Sequence, residues 1–413
     1  MTHASVFRNR AFNFIMVAGF LAIMGYTMFF TTTTWYVISE LESAGSLGIV
    51  LIAITVPRLM MMAFGGVVSD KFKKTTIMFS TSLTQGILLL TIFLLNYSDN
   101  MSMFSLIILG MFFGTLDAFS GPASSSLIPK IVQESQIQQA NAFYQGATQI
   151  GIIAGPALAG AVMEASNVAS SYLVATIVVF LSAVFMFPPF LKEGEVENKV
   201  KQTPLKDLQE GFSYIKSRTF LLTGILVLIT LNFFAFGAIQ IGIPILVELY
   251  GGTPINLSYI EVSLGLGMLF SSGIIGSIKI KRRGLTSVIG LIITLIVAVV
   301  FSQVPNLYVL TGLAFLIGFF MTFVSIPFFS SAQESTDGRI MGRVMSVIFL
   351  AMNGFDPIAY VGVTLFVSNG FDIQNVMLAF SLTGLIIALF ILWKGKTYRQ
   401  DNTHLLKSKT KKQ

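Results

Sequence analysis

Twelve stretches of this 413-residue sequence are apolar on every side. Each runs for roughly 20 residues, the length an α-helix needs to cross about 30 Å of hydrocarbon. The predicted spans are 12–37, 45–68, 76–96, 102–127, 141–163 and 169–190, then 220–247, 257–278, 285–303, 307–330, 342–367 and 373–393. Helices of a soluble protein keep a polar face, and these do not. With 54% hydrophobic and 11% charged residues, the chain has too little polar surface for water and reads as an all-α integral membrane protein in a lipid bilayer.

The basic residues test that count, because Lys and Arg gather on the cytoplasmic side of a membrane. Arg8 and Arg10 precede the first span, Lys71, Lys73 and Lys74 follow the second, and Lys130 follows the fourth. Lys192 to Arg218 follow the sixth, Lys279 to Arg283 the eighth, Arg339 and Arg343 the tenth, and Lys394 to Lys412 the twelfth. The alternate loops carry only acids, among them Glu40, Glu42, Asp99, Glu164 and Asp372. Twelve crossings with both termini cytoplasmic satisfy this pattern, and one miscounted span would scramble it. The net charge of +7 then follows from the loops and calls for no nucleic-acid partner.

Several chemistries are excluded. There is no cysteine, and the two histidines, His3 and His404, lie in the polar tails, so the apolar body has no thiol, no imidazole base and no Cys/His metal site. A phosphate-cradling Gly-x-x-x-x-Gly-Lys-Ser/Thr loop is also missing. The expectation is a protein that is not an enzyme, holds no cofactor or metal, and draws any work from a gradient. The first apolar run is too long for a signal peptide and is read as a retained helix.

The charged stretch between the sixth and seventh spans divides the chain. Residues 1–190 read as one six-helix bundle, 191–219 as a cytoplasmic linker with an amphipathic helix (Leu205, Leu208, Phe212, Ile215), 220–393 as a second bundle and 394–413 as a basic tail. The halves match at their joints. Gly66 and Gly276 each end a second helix before a basic cluster, and Asn141 to Pro156 has the same length as Gly342 to Pro357. Paired halves of this kind point to a repeat-built membrane protein with a site between the repeats.

At these residues the chain resembles the major facilitator superfamily. Gly66-Val-Val-Ser-Asp70-Lys71-Phe-Lys73-Lys74 is similar to that family's loop motif between helices two and three, with Lys73 where a second glycine is usual and Ile280 replacing the acid in the second copy. Gly146, Gly151, Gly155, Pro156 and Gly160 on helix five resemble the motif of its export antiporters. Asp117 to Pro129 and Leu205 to Tyr214 look like the exporter branch that includes macrolide efflux proteins and the enterobactin exporter. The resemblance implies two six-helix bundles, a bacterial cytoplasmic membrane, a working monomer and export of amphipathic, drug- or macrolide-like small molecules by proton antiport through alternating access. A dedicated siderophore or metabolite exporter is the alternative, and a lipid-handling membrane protein the more remote one.

An ionised side chain at the bilayer centre costs about 3 kcal/mol, so residues placed there are functional candidates. Arg58, Asp117 and Asp356 sit near mid-helix. Arg58 and Asp117 read either as a neutralising ion pair or as a proton site with a substrate-anchoring cation. Asp356 shares a face with Asn353 and Tyr360, or else caps the helix break at Pro357. Glu248 and Glu261 flank the loop between helices seven and eight and read as solvated rim charges, with Glu261 retained as a relay candidate. Tyr26, Thr27 and Thr31, then Asn232, Phe236 and Gln240, then Phe315, Phe319 and Phe323, are candidate cavity linings, the phenylalanines reading equally as packing.

Overall fold

Hydrocarbon offers a backbone no hydrogen-bond partners, so each crossing segment must satisfy its N–H and C=O groups within itself. The computed structural model describes residues 6–41, 44–188, 204–337 and 340–400, the side chains of 44, 63, 65–67, 69, 70 and 204–207 excepted. Every regular element among them is helical. The first six are α1 (Arg10–Ser39), α2 (Ala44–Lys71), α3 (Lys74–Tyr97), α4 (Met103–Ile131), α5 (Ile137–Ala165) and α6 (Val168–Phe185). An amphipathic α7 (Pro204–Lys216) follows. Next, α8 (Thr219–Leu231) runs through a π-helical turn, Asn232–Phe236, into α9 (Gly237–Leu249). Then come α10 (Pro254–Ser277), α11 (Arg283–Gln303), α12 (Leu307–Ser335), α13 (Met341–Asn353), α14 (Asp356–Ser368), α15 (Ile373–Lys394) and a short α16 (Lys396–Arg399). With α8–α9 and α13–α14 each counted as one crossing, twelve helices are long and apolar enough to span a membrane.

Each predicted span has its helix. Most helices run past the apolar stretch, α2 to Lys71 and α4 to Ile131, because backbone hydrogen bonding continues where hydropathy falls. The sixth is shorter than its predicted 169–190. It stops at Phe185, shortly before Pro188, which offers no N–H to the ladder.

Met1–Lys201 with Gly251–Val262 forms one compact unit, and Gln202–Tyr250 with Ser263–Gln413 the other. Within the first, α1 packs on α5 and α6, α2 on α4, and α3 on α4 and α6. The second repeats the scheme: α9 packs on α14 and α15, α8 on α13 and α15, and α11 on α12 and α15. The correspondence extends to single atoms. A Cβ at Gly114 of α4 would lie 2.9 Å from the carbonyl carbon of Ile54 on α2 and collide with its oxygen. A Cβ at Gly318 of α12 would meet Leu264 of α10 at the same 2.9 Å and in the same way. Only glycine lets two backbones approach so closely. Ile54 lies twelve residues before Gly66, and Leu264 twelve before Gly276, so the packing keeps the register of the loop motif.

In the second unit α7 packs on α13. Gly211 lies against the Arg343 carbonyl, the Tyr214 hydroxyl donates to the Ser335 carbonyl (3.4 Å), and Glu210 pairs with Arg343. Among its described side chains the buried positions are Gly211 and Ile215; Phe212, expected on the apolar face, is 58% exposed, and Leu205 lies outside the described side chains. The missing side chain at Gly211 lets α7 approach α13 closely, and this turns Phe212 outward.

Leucine at Gly114 should force α2 and α4 apart, whereas leucine at Gly121, one face of α4 that meets nothing within 4 Å, should be tolerated. Thermal unfolding of detergent-purified protein should show Gly114→Leu destabilised by about 1–3 kcal/mol or more and Gly121→Leu near wild type.

Candidate functional site

α2 and α4 cross near their midpoints, and the Gly114–Ile54 contact fixes which side chains meet there. Arg58, one turn past Ile54, and Asp117, three residues past Gly114, are brought together, with Nε 2.8 Å from Oδ2. From α1, Tyr26 completes the cluster. Arg58 Nη1 donates to the Tyr26 hydroxyl (3.3 Å), and the guanidinium stands 5.1 Å from the Tyr26 ring centre. Tyr26 in turn stacks on Phe113 and Phe30. Side-chain exposure is 35% for Arg58 and 17% for Asp117, so the pair is partly screened. The two side chains form an ion pair in this structure. The corresponding positions of the second half, by the Leu264–Gly318 register, hold Met268 and Met321. The same crossing closes there without charge, so the fold alone does not require the Arg58–Asp117 pair.

Glu261 is placed differently from its expected rim position. It lies seven residues into α10, about 10 Å from the helix start, and is half-buried. The Thr31 hydroxyl of α1, 1% exposed, donates to its Oε2 at 2.6 Å. No cation lies within ion-pair distance of Glu261 among the described residues. Glu248 is exposed, as a rim charge would be. One turn before Glu261, Ser258 donates to the Pro156 carbonyl of α5 (2.5 Å), and a Cβ at Gly160 would strike Ser258 and the Pro254 carbonyl. The glycines of α5 therefore seat two partners. Gly160 accepts the first turns of α10, while Gly151 and Gly155 accept α1, where a Cβ would strike Ile23, Thr27 and the Met24 carbonyl. Thr27 donates to the carbonyls of Ile23 (3.0 Å) and Gly151 (3.3 Å). Gly146 meets nothing within 4 Å and takes no part in this seam.

In the second unit the polar candidates gather at helix irregularities. Asn232, buried, opens the π-helical turn and donates back to the Leu228 carbonyl (2.9 Å), with Phe236 closing that turn and Gln240 half-buried one turn on. An extra residue in a helical turn re-aims side chains and recurs at functional sites. Sequence periodicity carries no signal for it. Asp356 begins α14 after the break at Gly354 and Phe355, with Pro357 beside it, Tyr360 buried one turn later and Asn353 donating to the Phe349 carbonyl (2.9 Å). On α12, Phe315 stacks on Phe319, which meets Phe323 at a tilt.

The surroundings of Gly66 and the side chain of Asp70, the acid of the loop motif, lie outside what the structure describes. Arg339 lies outside the described residues as well. Lys71 and Lys73 are exposed and Lys74 is buried. Lys73 has φ −61° and ψ 128°, an extended geometry open to any residue, so its replacement of glycine leaves the turn intact.

The sequence profile of the Major Facilitator Superfamily matches residues 15–355. YvqJ of Bacillus subtilis, an uncharacterized MFS-type transporter, is 24% identical over 97% of this chain and 96% of its own length. Macrolide efflux protein A of Streptococcus pyogenes is 25% identical over 60% of this chain and 62% of its own. The staphyloferrin A transporter of Staphylococcus aureus is 24% identical over 52% and 54%. Among solved structures, the nucleoside transporter NupG superposes with a TM-score of 0.72 at 17% identity, covering 92% of this chain and 99% of NupG. A POT family transporter superposes at 0.74 and 13%, covering 94% and 96%. Those two likenesses carry the fold alone. With twelve crossings, a repeated helix packing and a profile match over most of its length, the chain belongs to the Major Facilitator Superfamily and is a multi-pass membrane transporter of small molecules, not an enzyme.

Proposed function

We propose that this transporter exports amphipathic, drug-like small molecules in exchange for protons, by alternating access, with both termini cytoplasmic in a bacterial plasma membrane. The observation that carries the coupling is Glu261, a carboxyl within a span, hydrogen-bonded to Thr31 and without a cation among the described residues. An ionised carboxylate in hydrocarbon costs about 2.5–3.5 kcal/mol. Asp117 shares that cost with Arg58, while Glu261 has only a hydroxyl. A hydroxyl can donate to a carboxylate or accept from a carboxylic acid, so Thr31 serves both states. In the cycle proposed, Glu261 receives a proton from outside, and substrate binding drives its release to the cytoplasm. A membrane potential of 150 mV supplies about 3.5 kcal/mol per proton, enough for a few-hundredfold gradient. No cofactor is needed, and one chain is the working unit.

A relative named for macrolide efflux supports export, and one named for staphyloferrin A transport leaves a second substrate class. For a carboxylate siderophore, Arg58 was the anchoring cation considered above. Its guanidinium is taken up by Asp117 and by the face of Tyr26, which leaves an adaptable apolar pocket as the main recognition element. That favours neutral or cationic amphipaths. The row of phenylalanine rings on α12 and the 19 methionines of the chain suit such ligands.

Two outcomes follow. In energised inside-out vesicles, wild type should accumulate a macrolide a few hundredfold, and Glu261→Gln should only equilibrate it, at a ratio of about 1, while still binding it. Accumulation by Glu261→Gln at the wild-type level would sink the coupling role. The Arg58→Met/Asp117→Met double variant, which copies the second half, should fold and bind macrolide, whereas each single variant should lose about 1–3 kcal/mol of stability by stranding its partner. A double variant no more stable than the singles would show that the pair does not act as a unit.

A further inference from the structure

Toward its basic end α10 presents an exposed apolar row. Leu269, Phe270, Gly273, Ile274, Ser277 and Ile278 follow one another at helical spacing and line an apolar groove of about 500 Å³. Leu269, Phe270, Ile274 and Ile278 are 40–60% exposed, and a Cβ at Gly273 would meet nothing within 4 Å. The groove exists because Gly273 and Ser277 are small where the neighbouring row is large.

At Ser277 and Ile278 this groove runs into a second cavity of about 340 Å³, where α10 ends and α11 begins, floored by Ile326, Pro327 and Ser330 of α12. Its charges are positive. Lys279 and Arg283 line it, and Lys281 and Arg282 lie between them in the chain. Arg283 is paired with Glu334 (2.9 Å), the one carboxylate contact in the cluster among the described residues. Lys279 is exposed and has no carboxylate partner among them.

The depths match those of an amphiphile in a bilayer leaflet. Leu269 to Ser277 covers about 12 Å of helix inside the span, and the cations start where the helix leaves it, at the level of lipid phosphates. An apolar slot at acyl-chain depth, continuous with a cationic pocket at headgroup depth, is complementary to an anionic phospholipid in both polarity and charge. We propose that α10, the α10–α11 turn and α12 form a binding site for one anionic phospholipid, its phosphate at Lys279 beside the Arg283–Glu334 pair and an acyl chain along Gly273. The site is independent of the substrate and of the direction of transport.

Delipidated, detergent-purified full-length protein titrated with phosphatidylglycerol or phosphatidylcholine of the same chains, and read by native mass spectrometry, tests this. Wild type should retain one phosphatidylglycerol in preference to phosphatidylcholine. Lys279→Gln should weaken retention roughly fivefold, the loss of one interfacial lysine. Gly273→Leu, which adds a side chain only to open space, should remove the bound lipid without lowering the melting temperature. Equal retention of the two lipids by wild type, or retention unchanged in both variants, would overturn the proposal. Displacement of phosphatidylglycerol by equimolar oleate would assign the site to single-chain anions instead. A dimer in wild type that Gly273→Leu abolishes would assign the face to a second copy of the chain.

Discussion

The cost of an unneutralised charge or an unpaired backbone group in hydrocarbon governs this molecule. It makes every crossing a helix, pushes Lys and Arg to alternate loops, and leaves each charge that remains inside needing an explanation. Arg58 and Asp117 are explained by each other. Glu261 is not explained by any cation among the described residues, and its one hydrogen bond runs to a hydroxyl that suits a carboxyl in either protonation state. On the reading proposed above, this difference marks Glu261 as the coupling group and the Arg58–Asp117 pair as a structural one.

Small residues determine how the helices meet. Gly114 and Gly318 place the same backbone contact in each half, and this shared frame makes the halves comparable residue by residue. In that comparison the two units share a scaffold but not a polar interior. The first carries Arg58, Asp117 and Tyr26 at its α2–α4 crossing, where the second has Met268 and Met321. The second has instead a π-helical turn at Asn232 and a broken helix at Gly354. The repeat keeps the Gly114/Gly318 contact and varies the polar groups around it.

Much of this was legible in the sequence, for physical reasons. Crossing lengths follow from bilayer thickness, and the repeat register followed from Gly66 and Gly276. Arg58 and Asp117 could be paired because their depths on two helices can be counted. Three features were not legible. The helical turn with an extra residue at Asn232 leaves hydropathy unchanged. The hydrogen bond from Thr31 to Glu261 depends on how the first turns of α10 pack on α5 through Ser258 and Gly160, which no periodicity encodes. Phe212 turns outward because glycine at 211 lets α7 sit close, although the apolar pattern alone placed it inward.

The central claim is that Glu261 carries a proton that substrate binding displaces. An infrared difference spectrum between substrate-free and macrolide-saturated purified protein reads the carboxylic acid C=O stretch directly. The account predicts that a protonated-carboxyl band is lost on binding in wild type and in Asp117→Asn, and that this change is absent from Glu261→Gln. A band change that survives Glu261→Gln would contradict the account and place the proton on another carboxyl.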